Sequence, residues 1–193
     1  MDYSKFVFPI YFTSYNKGCG VIIDDLFITA GHVIEMGINP FISIKGEKYP
    51  LVKEEALYID TNKESCSIGY DVAIFRLKDI SSPLQLADII PVEGKKLLSC
   101  SYKHTSSGSG LSYQEHWNFE ERLGEVVHLD DNYFECNFET ALRTGSSGSP
   151  IFDGEKVAGI LYGDREGKES SNKVLFLSAS AIMRLLKEIG YER

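Results

Sequence analysis

Residues 143–150 read Arg143-Thr144-Gly145-Ser146-Ser147-Gly148-Ser149-Pro150 and run straight into the apolar pair Ile151-Phe152. A serine between glycines can sit on a tight turn with its hydroxyl exposed, because glycine tolerates backbone conformations that other residues avoid. Small neighbours also let backbone N–H groups converge on one point, which is what stabilising an oxyanion requires. Gly/Ser-rich composition alone spells only a turn. The chain supplies a comparison: Ser106-Ser107-Gly108-Ser109-Gly110 has similar composition, lacks the proline and reads as plain loop.

A nucleophilic serine needs a base, and the base needs a carboxylate to orient it. The histidines are His32, His104, His116 and His128. His32 stands in Phe27-Ile28-Thr29-Ala30-Gly31-His32-Val33, directly after an apolar strand pattern and among small residues, where a scaffold would fix it. Asp71 opens Asp71-Val72-Ala73-Ile74-Phe75-Arg76-Leu77. A carboxylate leading straight into a buried strand is costly unless something pairs with it. Each residue alone has an ordinary explanation: a surface histidine, a strand-capping aspartate, a turn serine. Together they supply base, orienter and nucleophile, each at the edge of a β element.

Working outward, short apolar runs alternate with turn signals along most of the chain. Strand patterns span 5–13, 20–23, 26–30, 41–44, 48–59, 72–77, 95–101, 124–129, 133–138, 150–152, 157–162 and 174–177. Asp24-Asp25 reads as a hairpin turn. Many short strands with frequent turns predict an all-β fold. Residues 81–91 carry Pro83 and Pro91 and read as a connector, and 102–120 as a long non-strand segment. A short helical turn is expected after Gly31. Ile182, Leu185, Leu186 and Ile189 recur at helical spacing, with Ser178 or Ser180 as N-cap and Gly190 as stop.

The 193 residues carry 28 acidic and 20 basic side chains, a net charge of −8. That balance argues against nucleic-acid binding, which needs clustered Lys and Arg. The longest apolar run, 6–12, contains Pro9 and falls far short of the roughly 18 residues of a membrane helix. It has no basic start either, so the chain is expected to be cytoplasmic, without membrane insertion. Cys19, Cys66, Cys100 and Cys136 form no CxxC or CxxH pair, so they are read as free thiols, mostly buried. No metal and no cofactor is expected, since neither a Ca²⁺ loop nor a cofactor fingerprint is present.

In this order, the three segments resemble the trypsin-like serine endopeptidases of the chymotrypsin fold. Thr29-Ala30-Gly31-His32, Asp71-Val72-Ala73-Ile74 and Gly145-Ser146-Ser147-Gly148-Ser149-Pro150 match the three catalytic motifs. Their spacings of 39 and 76 residues suit a compact bacterial type. Gly18-Cys19-Gly20-Val21-Ile22-Ile23 and Val157-Ala158-Gly159-Ile160 extend the likeness to neighbouring strands. The order His, Asp, Ser differs from that of subtilisins and α/β-hydrolases.

The resemblance implies one peptidase domain over 1–193, built as two six-stranded antiparallel β-barrels with the active site between them. The barrels would span 5–80 and 92–178, with the connector at 81–91 and a C-terminal α-helix at 179–190. It implies His32, Asp71 and Ser147 as catalytic residues and the N–H groups of Gly145 and Ser147 as the oxyanion hole. Ala141, Leu142, Leu161, Tyr162 and Gly163 would bind the substrate, a protein or peptide. The 102–120 segment, with Trp117, would border and gate the cleft.

The chain departs from the family at defined points. Ser146 stands where digestive members have an aspartate that pairs with a newly cut N-terminal amine, so activation by that route is not expected. Val33 stands where secreted animal members have a cysteine. Ala141, at the expected base of the pocket for the residue before the cut, is uncharged, which implies a small or apolar preference; Arg143 is expected to face solvent. The alternative is a conditionally activated or non-catalytic module of the same fold, binding peptides or an activating partner protein.

Overall fold

A computed structural model describes residues 1–14, 17–61, 70–108, 114–142, 145–163 and 172–191. The N-terminal half contains β1 (Val7–Ile10), β2 (Gly18–Ile23), β3 (Leu26–Thr29), α1 (Gly31–Met36), β4 (Phe41–Ile44), β5 (Glu47–Pro50), β6 (Tyr58–Asp60) and β7 (Val72–Arg76). Five of these strands form one antiparallel sheet in the order β1-β2-β3-β7-β6. The β4–β5 hairpin is a separate pair, attached through the bridge between Tyr11 and Phe41. The β2–β3 turn forms at Asp24-Asp25, where Asp24 takes φ 54°, a conformation that aspartate tolerates better than most side chains.

Both faces of β2 and β3 are buried, and the side-chain period of two explains why. Val21, Ile23, Leu26 and Ile28 point into a core shared with the C-terminal half. Ile22 and Phe27 point the other way, into a separate cluster with Ile34, Ile42 and Phe75. The sheet is thus the wall between two cores, and the ends of its strands lie where the halves meet.

The C-terminal half contains β8 (Gln85–Leu86), β9 (Lys96–Ser107), β10 (Gln114–Leu129), β11 (Tyr133–Phe138), β12 (Pro150–Asp153), β13 (Lys156–Gly163) and β14 (Lys173–Ser178). Six of them close into an antiparallel ring, β12-β9-β10-β11-β14-β13, sealed by the pairing of β12 with β13. β8 joins the outside of β13 in parallel. The chain ends in α2 (Ala179–Glu188), where the Ser178 hydroxyl accepts from the Ala181 N–H at 3.2 Å. Ala181, Ile182, Leu185 and Leu186 face the barrel, and Gly190, at φ 74°, follows the last turn.

The all-β architecture with a C-terminal helix agrees with the sequence reading, but three local expectations change. The pattern at 48–59 is broken: β5 ends at Pro50, a short 3₁₀ turn spans Lys53–Glu55, and β6 starts afresh. Proline cannot continue the ladder as a donor, which explains the stop. The 81–91 connector contains β8. The segment 102–120, expected to be a loop, is instead mostly a long hairpin of β9 and β10, with Tyr102 opposite Phe119 and His104 opposite Trp117. Its sequence hid this because polar side chains occupy one face of a ribbon that projects from the barrel. Of the Gly/Ser run, Ser109 and Gly110 lie outside the described residues.

Candidate active site

The first part of the site is built where β3 hands over to α1. Gly31 is pressed against the chain end of β6: a Cβ there would lie 2.0 Å from the Asp60 carbonyl oxygen and 3.1 Å from the Val72 nitrogen. Only glycine permits that approach, and it brings His32 onto Asp71. Asp71 precedes β7 and is 1% exposed. Its Oδ1 accepts from the His32 backbone N–H at 2.7 Å, and its Oδ2 lies 2.5 Å from His32 Nδ1. A carboxylate can only accept, so Nδ1 carries a proton, and in the neutral ring Nε2 is then the acceptor. The buried aspartate is thereby paired at both oxygens, as its burial demands.

Ser147 arrives from the other half. The Gly148 N–H donates to the Leu161 carbonyl at 2.9 Å, and the Leu161 N–H donates to the Ser149 carbonyl at 2.8 Å. The Ser147 carbonyl accepts from the Cys19 N–H, on β2, at 2.8 Å. Gly148 has φ 83°, and a Cβ on it would stand 2.2 Å from both the Cys19 carbonyl and Thr29 Oγ1, and 2.9 Å from the Ala30 nitrogen. The Ser147-Gly148 peptide is therefore wedged into the end of the β2–β3 hairpin, two residues before His32. Among the described residues, no hydrogen bond joins Ser147 Oγ to His32.

Gly145, at φ 99°, turns the chain ahead of Ser147. Its N–H and that of Ser147 have no main-chain acceptor among the described residues, while the Ser149 N–H closes the turn onto the Ser146 carbonyl at 3.0 Å. A Cβ on Gly145 would lie 3.4 Å from Lys17 Cβ and 3.9 Å from the Trp117 ring, so the tall β9–β10 hairpin does border the site. Beyond Gly145, Tyr11, Lys17, His104, Glu115 and Trp117 help line a cavity of about 360 Å³. Lys17 Nζ lies 2.5 Å from His104 Nδ1.

The expected substrate-binding residues separate into different environments. Leu161 is buried, and its N–H and C=O are both engaged within the fold. Tyr162 is the extra residue of a bulge against β14, half-buried, with its ring edge-on to Tyr133 at 5.7 Å and 6.5 Å from the His32 ring. Gly163 ends β13 in open space. Leu142 is buried, and the Ala141 carbonyl accepts from Arg122 at 2.9 Å. The Arg122 guanidinium is also paired with Glu120 at 2.7 Å. Arg143 lies outside the described residues.

Cys19, Cys100 and Cys136 are buried free thiols, and Cys66 lies outside the described residues. Burial pushes Cys19 up to about 11 and Cys100 and Cys136 up to about 12. The Cys19 thiol lies 3.3 Å from the Gly145 carbonyl, a contact the sequence does not show, since nothing marks a small apolar residue on a strand as a neighbour of Gly145. Among the described residues, no group of three His, Cys, Asp or Glu is placed to share a metal ion, and no helix is long and apolar enough to cross a membrane.

No family model matches the sequence, and no curated protein matches it. Solved structures do match over nearly its whole length. The active form of the Rv3671c protease from M. tuberculosis superposes with a TM-score of 0.69 at 18% identity, covering 99% of this chain and 83% of that one. Neuropsin, a serine protease of mouse brain, gives 0.70 at 13% identity, covering 97% and 96%. A scabies mite inactivated protease paralogue gives 0.71 at 15% identity, covering 97% and 94%. The chain has the chymotrypsin fold, shared by serine proteases and by inactivated relatives of them.

Proposed function

We propose that the protein is a serine endopeptidase, hydrolysing peptide bonds in protein or peptide substrates through an acyl-enzyme. The observation that carries this reading is the two-point grip of Asp71 on His32, with Ser147 lodged at the end of the strand that leads to that histidine. In this reading, His32 Nε2 takes the proton from Ser147 Oγ as the oxygen attacks the scissile carbonyl. The N–H groups of Gly145 and Ser147 receive the oxyanion, and His32 then gives its proton to the leaving amine. Water, activated by the same nitrogen, releases the acyl group. Asp71 holds the ring in the required tautomer and stabilises its charged form.

Substrate backbone would add along Tyr162 and Gly163, at the end of β13 beyond Leu161. The uncharged surroundings of Ala141, with Arg122 already paired, favour a small or apolar side chain before the cut. The leaving side would pass Gly145 toward Lys17 and Trp117.

Labelling with a fluorophosphonate probe tests the reading. The wild type should label, and Ser147→Ala and His32→Ala should not. An unlabelled wild type overturns constitutive activity. The missing Ser147–His32 hydrogen bond and the uncharged Ser146 favour one second reading, a protease-fold protein that a partner protein must activate. Labelling that appears only on addition of cell lysate would select it.

A further inference from the structure

If Ser146 cannot anchor the turn by an ion pair, something else must hold it, and the structure places one residue there. We propose that Cys19 is a positioning residue that sets the oxyanion loop from the opposite half of the molecule. The inference rests on the peptidase reading above.

Three successive peptide planes run from Gly145 to Gly148. The first has its carbonyl, on Gly145, facing the Cys19 thiol at 3.3 Å. The second carries the Ser147 N–H, and its carbonyl, on Ser146, accepts from Ser149. The third has its carbonyl, on Ser147, bound to the Cys19 N–H at 2.8 Å. One residue of β2 thus fixes both planes that flank the donor plane, once with its side chain and once with its main chain.

The thiol is well placed for this task. The Tyr102 N–H donates to Sγ at 3.3 Å, which orients the sulfur from the β9 side. Of the two carbonyls in reach of the single S–H, Gly145 at 3.3 Å is nearer than Tyr102 at 3.8 Å, and the Ser149 hydroxyl is close enough to donate to the sulfur from another side. Cys19 is fully buried, and that burial keeps the thiol protonated, hence a donor, through neutral pH. The Cys19 carbonyl is itself held by Thr29 Oγ1 at 2.6 Å, so the anchor is tied to β3, the strand that leads to His32. A thiol is a weak donor, but Cys19 and Gly145 are both buried, where a hydrogen bond is stronger than at the surface.

Three variants separate the hydrogen bond from simple packing. Cys19→Ala removes bond and volume, Cys19→Val restores volume without the bond, and Cys19→Ser keeps a donor. Thermal unfolding is measured first, so that kinetics are compared only between folded proteins. For a peptide substrate, Ala and Val should each lower kcat about tenfold, the effect of a small misplacement at the reacting centre, with KM within about twofold. Affinity for a peptide boronate, whose tetrahedral adduct puts an oxygen in the oxyanion hole, should fall in parallel, while a cleaved-product peptide binds as before. Ser should recover most of kcat.

Full recovery by Val, or an unchanged kcat in Ala, would overturn the proposal in favour of packing or of no role. A wild type that fails to label is a different failure, that of the peptidase reading. Hydrogen exchange at the Gly148 amide still decides the structural claim then: it should be faster in Ala and Val than in Ser and wild type, and equal rates would overturn it.

Discussion

The Asp71 carboxylate holds His32 at its ring nitrogen, at 2.5 Å, and at its backbone N–H, at 2.7 Å, inside the N-terminal half. Ser147 is fixed without using its side chain, by main-chain bonds from Cys19 to its own carbonyl and from Gly148 to Leu161. The two sides of the site therefore answer to different physics. On the base side, the charge and the two acceptor oxygens of one carboxylate set the tautomer of one ring. On the nucleophile side, the absence of side chains lets two backbones meet at distances where a methyl group would collide. Chemistry should be lost on one side without loss of fold, and fold should be strained on the other before chemistry is considered.

The largest expected effect comes from the side chain of the proposed nucleophile, which the fold does not use. Ser147→Ala removes an oxygen that makes no hydrogen bond to His32, so the fold should be retained while kcat drops by about 10⁶, the size expected when a triad member is lost. Asp71→Asn comes next. An amide that turns its NH₂ toward Nδ1 forces the proton onto Nε2, and kcat should fall about 10⁴-fold. A loss of less than about tenfold would show that Asp71 does not set the tautomer. Circular dichroism of both variants should overlay the wild type.

Glycine substitution sharpens the other side. Gly148→Ala places a methyl 2.2 Å from a backbone oxygen and demands φ 83° of an L-residue, so the loop must shift. The cost should be about 3 kcal/mol or more by denaturant unfolding, at the upper end of single substitutions. Gly154 also has positive φ, at 60°, but nothing lies within 4 Å of its would-be Cβ. Gly154→Ala should cost only about 1 kcal/mol, the backbone component alone. Equal costs at the two positions would mean that the close approach at Gly148 is not rigid.

This contrast also explains what could be read from the sequence. The motifs around His32, Asp71 and Ser147 are legible because each encodes a local necessity: a small residue for close approach, a carboxylate at a strand start, glycines at a turn. The apolar runs of β2, β3 and β7, buried on both faces, and the alternation of β11, buried on one, are legible for that reason. The β9–β10 hairpin is not, since most of its outer residues face solvent and carry no apolar signature; cross-strand pairs such as Tyr102 with Phe119 show only once the register is known. Leu161 was expected to meet substrate, but its N–H and C=O are consumed by Ser149 and Gly148, a partner choice made across 12 residues or more. Cys19 was legible as a small buried residue, and its reach to Gly145 depends on a meeting of the two halves that no local pattern records.

The smallest effect expected concerns the buried thiols, which lie on both sides of the comparison: Cys19 at the nucleophile loop, Cys100 and Cys136 inside the C-terminal barrel. Each ionises at an ordinary 9.0 when unfolded, but at about 11 to 12 when folded, because burial disfavours the thiolate. Above pH 9 the unfolded chain has released these protons and the folded chain has not, so the unfolded state binds fewer protons and stability falls as pH rises. The contribution is fully present below pH 9 and is lost progressively toward pH 11 to 12. Tyrosines complicate the upper range, since burial raises Tyr58 to about 12 from an ordinary 10.0, so the cleaner window is pH 8.5 to 10. There the urea midpoint of the wild type should decline with pH, and a Cys100→Ala, Cys136→Ala variant should decline less steeply. Parallel slopes would show that the barrel thiols ionise in the folded state, and that the interior of the C-terminal half is wetter than its packing implies.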